Sequence, residues 1–235
     1  MDFLHRVLLW FGDGAHWRGS DGIPTRLGEH LHLSVESVLI GAVIALPIGI
    51  VLGHYGRFGN LAISVSNVGR AIPSYGVLVI AFTLFGFGDG PIVLALTALA
   101  IPPMVTNSYV ALTEVDPDIK EAARGMGYRE FAQVLRIELP LAVPLIMAGI
   151  RTSAIQVVAT ATVAALIAGG GLGRYIVDGF AQFDYTKLFA GAVLVALLAL
   201  ATELSLSALE RVLVPRGIRL LTARAARRGT AFKTA

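Results

Sequence analysis

Apolar runs of about 20 residues, separated by short polar stretches, set the rhythm of this chain and are long enough to cross a bilayer as helices. They predict five transmembrane helices, at residues 31–53, 67–88, 91–112, 139–168 and 188–212. Ahead of them Phe3, Leu4, Val7, Leu8 and Phe11 fall at helical spacing. An interfacial amphipathic helix fits that spacing, with Trp10 and Trp17 suited to the headgroup level; a frayed terminus fits it equally well. The apolar run from Phe3 to Phe11 is short, has no basic leader and no A-x-A cleavage pattern, so it does not read as a secretion signal. The expected organisation is an extracytoplasmic segment over 1–30, an all-α polytopic membrane domain over 31–214, and a basic cytoplasmic tail over 215–235. That tail is expected to be disordered and drawn to anionic lipid.

One polar stretch breaks the rhythm. Between the third and fourth runs stands a charged loop, residues 113–140, ending in EAARGMGYREFAQVLRIELP. Asp116 followed by Pro117 is a helix start, because the carboxylate caps free N–H groups and proline at the first position gives up no internal bond. Ile119, Ala122, Ala123 and Met126 then lie at i, i+3, i+4 and i+7, one apolar stripe on a helix too short to be stable alone in water. The stripe therefore needs a surface to pack on, with alanines at its centre for close approach and Glu121 and Arg124 flanking it. Gly125 and Gly127 are the expected helix terminators. A second short amphipathic helix is predicted with Phe131, Val134 and Leu135 on one side and Arg129, Glu130, Gln133 and Arg136 elsewhere, before Leu139 and Pro140 turn the chain into the fourth span.

Composition agrees with a membrane protein: 55% of residues are hydrophobic, 15% charged, and the mean hydropathy is +0.73. The net charge of +3 does not indicate nucleic acid, since the basic residues are spread over loop flanks and the tail and form no face interleaved with aromatics. Their distribution sets orientation instead. Arg57, Lys120, Arg124, Arg129, Arg136 and the basic residues from Arg211 to Lys233 fall on the side of the charged loop; Arg6, Arg18, Arg26, Arg174 and Lys187 fall on the other. The positive-inside rule then puts the N-terminus outside, and the loop and C-terminus in the cytoplasm.

Several chemistries find no support. With no cysteine there is no disulfide framework, thiol nucleophile or cysteine metal site. None of Lys120, Lys187 and Lys233 stands in a phosphate-binding G-x-x-x-x-G-K-[ST] loop, so any ATP is expected to be hydrolysed by a partner. The run Gly169-Gly170-Gly171-Leu172-Gly173 lacks that lysine and reads as a flexible exit from the fourth span. His30 and His32 lie on different helix faces and predict no metal site.

Glu121, Ala122, Ala123, Gly127, Ile137, Leu139 and Pro140 together resemble the EAA loop of inner-membrane permease subunits of binding-protein-dependent ABC importers. The resemblance implies the type I importer permease fold, with the EAA loop and its neighbours Ile119 and Met126 docking on a cytoplasmic ABC ATPase dimer. It further implies a second permease subunit, identical or paralogous, an extracytoplasmic substrate-binding protein, and no catalytic residue or cofactor in this chain, ATP and Mg being used by the ATPase. The runs RAIPSY (70–75) and TATVAALIAGGGLG (160–173) resemble permeases for osmoprotectants such as glycine betaine, choline, carnitine or proline betaine. A permease for methionine or another amino acid is the alternative; a self-sufficient channel or secondary transporter would need an ionisable relay or duplicated halves that are not seen.

Polar residues in or beside the spans are the candidates for a solute path: Tyr75, Asn107, Ser108, Ser153, Gln156 and Thr160, with Thr152 and Thr162 near them. Tyr75 and Tyr109 also offer ring faces to a cationic headgroup. Interhelical packing competes with solute contact at each position, because small and hydroxyl residues commonly join helices in lipid. Arg70 and Arg151, charged within spans, are expected to snorkel or to pair with a carboxylate.

Overall fold

A computed structural model describes residues 3–56, 59, 64, 72–167 and 169–214. Within them α1 is Phe3–Gly12, α2 Ile23–Tyr55, α3 Ser74–Phe85, α4 Asp89–Thr113, α5 Pro117–Gly125, α6 Glu130–Gln133, α7 Leu139–Ala164, α8 Gly173–Ala181 and α9 Tyr185–Leu213. Among the described residues four helical stretches are long and apolar enough to cross a membrane. The second predicted span is described as α3, while its first residues, with Arg57, Arg70 and the tail after Val214, lie outside the described residues.

α2 and α4 form the centre because α2 carries small residues every fourth position. Gly41, Ala45, Gly49 and Gly53 are all buried on one face. A Cβ at Gly49 would lie 2.6 Å from Ser108 Cβ and 2.7 Å from the Val105 carbonyl oxygen; one at Gly53 would lie 2.6 Å from the Tyr109 carbonyl oxygen. The two backbones therefore meet with no side chain between them, the way helices associate in lipid where apolar burial supplies no drive. Gly149 of α7 approaches the other side of α4 in the same manner, against Asn107 and the Pro103 carbonyl. Thr97 adds a hydrogen bond between α2 and α4, its Oγ1 donating to Ser37 O at 3.3 Å, while Ser37 Oγ donates to Leu33 O of its own helix at 2.7 Å and lies 3.4 Å from Val93 O.

α2 begins at Ile23, eight residues before the expected start at Leu31. Its polar first turns stay helical because their charges are paired: Arg26 donates to Glu29 at 2.8 Å and to Asp21. At about 1.5 Å per residue its 33 residues span about 50 Å, well beyond a hydrocarbon core of about 30 Å. Pro47 stands inside it without ending it, and Gly56, at φ 62°, closes it in the left-handed conformation.

The N-terminal segment is a helix, not a frayed end. α1 packs on α9 through an edge-on Phe3–Phe189 pair with centroids 5.3 Å apart. Trp10 is buried against Tyr175 and stacked on His16 at 4.0 Å, whereas Trp17 stays exposed.

The glycine-rich run at 169–173 differs most from its expectation. It is no flexible exit: the Gly171 N–H donates to Glu29 Oε2 at 2.7 Å, and Leu172 is buried. His30, fully buried on the adjoining turn of α2, reaches the Val158 carbonyl at 3.0 Å. The run then enters α8, a short amphipathic helix with no counterpart in the sequence reading. Burial raises the Tyr175 phenol's pKa, with the Arg26 charge opposing; it stays protonated and donates to the Asp21 carbonyl. A hydrogen bond to a charged acceptor contributes about 1.5–3 kcal/mol, so Glu29→Leu is expected to speed hydrogen exchange at the Gly171 amide by about tenfold or more. Unchanged exchange would mean that packing alone holds the run.

Candidate functional site

α5 starts as its sequence dictates, with the Asp116 carboxylate accepting from the Asp118 N–H at 2.9 Å and Pro117 at the first position. It ends in a paired capping arrangement. The Gly127 N–H donates to the Arg124 carbonyl at 2.9 Å and the Tyr128 N–H to the Ala123 carbonyl at 3.2 Å, with Gly127 at φ +81°. Gly125 is the last helical residue, so Gly127 alone makes the left-handed turn.

The apolar stripe divides. Ala123 is fully buried in its own chain and offers nothing to a partner, which corrects its expected place at the centre of a docking surface. Ile119, Ala122 and Met126 stay exposed, as does Glu121, and Phe131 on the next element is 76% exposed. Met126, Gly127, Tyr128, Arg129, Ala132 and Arg136 line an open groove of about 340 Å³ beside this corner. Exposed apolar residues in one place, rimmed by charge, mark a contact surface.

The second short helix is not separate. α6 runs through a π-helical turn, Val134–Glu138, directly into α7, so Leu139 and Pro140 do not turn the chain as expected. The wide turn fits here because Pro140 has no N–H to donate to the preceding turn. Leu139 packs against Ala111, Leu112, Ala142 and Ile146, and Ile137 is half-buried. Ile137 and Leu139 are thus partly covered by the chain, while Ile119, Glu121, Ala122, Met126 and Gly127 are at the surface.

A polar knot lies behind this corner. His54, in the last turn of α2, is hydrogen-bonded through Nδ1 to Glu138 at 2.9 Å and through Nε2 to Glu130 at 2.6 Å, so one ring joins both carboxylates. Gln133 donates to Glu138 at 2.7 Å, and Lys120 Nζ lies 3.9 Å from the same carboxylate while donating to the Leu112 carbonyl at 2.7 Å. Glu138 and Gln133 are fully buried. Removing one partner from a buried ion pair costs roughly 3–5 kcal/mol, so the knot holds only as a set. The sequence reading passed over His54 and Glu138; the one signal for Glu138 was an acid flanked by Ile137 and Leu139 at the mouth of a span.

The expected path residues separate into two groups. Ser153 Oγ donates to the Ala100 carbonyl at 2.8 Å, Asn107 donates to the Pro103 carbonyl at 2.8 Å and abuts Gly149, and Ser108 is fully buried against Gly49. These three are helix contacts, and Thr160 is buried with them. Tyr75 is exposed and Gln156 half-buried. Arg151 pairs as expected, at 3.2 Å from Glu210 and 3.5 Å from Glu203, and donates to Ser207 at 2.8 Å, joining α7 to α9.

Residues 45–217 match the family described as the binding-protein-dependent transport system inner membrane component. The chain belongs to that family. It is 35% identical to the glycine betaine/carnitine/choline transport system permease protein OpuCB of Bacillus subtilis (strain 168), over 82% of this chain and 89% of the relative. It is 36% identical to the carnitine transport permease protein OpuCB of Listeria monocytogenes, over 92% and 97%. A chain of the inward-facing MetNI methionine ABC transporter shares the fold, with a TM-score of 0.71 and 23% identity over 82% of this chain and 96% of that one. The protein is thus a multi-pass membrane permease of the ABC-importer fold, and family membership sets aside a self-sufficient channel or secondary transporter.

Proposed function

We propose that this permease carries a quaternary-ammonium osmoprotectant, of the glycine betaine, choline or carnitine class, in an importer driven by a separate ATPase dimer. The observation that carries the reading is the likeness over most of the chain to OpuCB permeases named for those solutes. The exposed corner around Glu121, Ala122, Met126 and Phe131 is the ATPase contact, ATP and Mg belonging to that partner. An extracytoplasmic binding protein delivers the solute, and a second permease subunit completes the pathway. Lysine and arginine bias supports an N-terminus outside and a C-terminus inside. Of the path candidates, Tyr75 and Gln156 are the ones left open to solute, and the Tyr75 ring face suits a cationic headgroup.

The test is the complex in liposomes with its ATPase and binding protein, ATP hydrolysis being followed as glycine betaine, choline, carnitine and methionine are added in turn. Stimulation by one or more of the first three, and not by methionine, is expected. Stimulation by methionine alone would overturn the solute class.

A further inference from the structure

We infer that His54 and Glu138 are positioning residues that deliver movement of the coupling corner to α2. The inference rests on the proposed ATPase contact. The corner is covalently continuous with α4 through Glu114 and with α7 through the π-helical turn, so those two helices follow it without further linkage. α2 has no such continuity with it. Among the described residues, the hydrogen bonds that join α2 to residues 114–138 all pass through His54, to Glu130 and Glu138.

Burial makes this joint firm. With Glu138 fully buried and His54 8% exposed, water does not compete for their hydrogen bonds, and Gln133 and Lys120 hold Glu138 from two further sides. Close-packed elements move as bodies and do not bend continuously. α2 is moreover fastened at its other end, where Glu29 accepts from the Gly171 N–H and His30 meets the Val158 carbonyl. A displacement entering at His54 is thereby handed along α2 to the glycine-rich run on the opposite side of the bundle.

The experiment uses the whole complex in liposomes, counting labelled glycine betaine imported per ATP hydrolysed. His54→Leu is expected to assemble with the ATPase and hydrolyse ATP, while solute per ATP falls at least tenfold. His54→Gln, which retains a donor towards Glu138, is expected to stay within twofold of the parent protein. The exchanged pair His54→Glu/Glu138→His keeps an imidazole and a carboxylate at the joint and is expected to recover at least half of the parental solute-per-ATP ratio, while Glu138→His alone stays uncoupled. A normal solute-per-ATP ratio in His54→Leu, or an exchanged pair no better coupled than Glu138→His, overturns the joint and leaves the importer reading intact. Absence of ATP-driven uptake by the parent complex counts against the importer reading instead.

Discussion

Gly49→Leu is expected to yield no folded, monodisperse permease. The reason lies in the α2–α4 contact, where a Cβ at this position already meets Ser108 Cβ at 2.6 Å and the Val105 carbonyl oxygen at 2.7 Å. A side-chain end can swing aside, but a backbone carbonyl in the middle of α4 cannot, so relief requires the helices to part. Parting them breaks the Gly41, Ala45 and Gly53 contacts along the same face and strips the core of its closest packing. Overpacking by one methyl costs about 1–3 kcal/mol, which sets the expectation for Gly49→Ala: folded protein with a melting temperature lower by several degrees. Leucine adds three more carbons where even one does not fit. Gly28, on the same helix with nothing within 4 Å of its Cβ position, supplies the control. There alanine is expected to be neutral or to stabilise by about 0.5–1 kcal/mol, since glycine in a helix interior forfeits that much conformational entropy. Equal detergent-extracted yield and equal melting for Gly49→Leu and Gly28→Ala would mean that the α2–α4 contact does not hold the fold.

How much of this was legible in the sequence depends on how local each feature is. The span at 91–112 differs from α4 by a few residues, because a continuous apolar run and its helix coincide when nothing polar extends the helix. The first span was drawn too short for the opposite reason. Arg26, Glu29 and His30 look like the end of a membrane segment in hydropathy, yet α2 continues through them because Asp21, Gly171 and Val158 supply their partners from elsewhere in the chain. α8, nine residues long, is too brief for periodicity to stand out beside two long spans. The coupling corner was readable because Asp116, Pro117 and Gly127 act on their own backbone neighbours. The joint behind it was not, since His54 and Glu138 are 84 positions apart and only the packing of α2 against α4 and α7 brings them together. Sequence also ranked Asn107, Ser108 and Ser153 with Tyr75 as polar span residues; burial of Ser108 and Ser153 between helices, and the bond from half-buried Asn107 to the Pro103 carbonyl, separate them from exposed Tyr75.

Gly127→Val is expected to abolish ATP-driven uptake while the membrane core stays folded. Gly127 adopts φ +81°, and a Cβ there would meet nothing within 4 Å, so the whole penalty of substitution is conformational. A side chain in the left-handed region costs about 1–2 kcal/mol, and a β-branched one costs more because its second γ-carbon crowds the carbonyl. The chain relieves that strain by leaving the turn. Doing so breaks the bonds from Gly127 N–H to the Arg124 carbonyl and from Tyr128 N–H to the Ala123 carbonyl, which close α5 and set the angle to α6. Met126, Tyr128 and Arg129, which line one groove with Ala132 and Arg136, then lose that arrangement. Each 1.4 kcal/mol is about tenfold in an equilibrium, so a cost of about 1–2 kcal/mol leaves Gly127→Ala with about a thirtieth to a fifth of parental uptake and Gly127→Val with less than about a thirtieth. Gly127→Asn should exceed both, because asparagine tolerates the left-handed region. Gly127 itself meets nothing within 4 Å of its Cβ position and makes none of the glycine contacts between α2 and α4, so melting of the detergent-solubilised protein should change little across the series. The order Asn above Ala above Val in uptake, at constant melting temperature, identifies the backbone turn as the working element; uptake by Gly127→Val at the parental rate would mean that the corner's shape is immaterial to coupling.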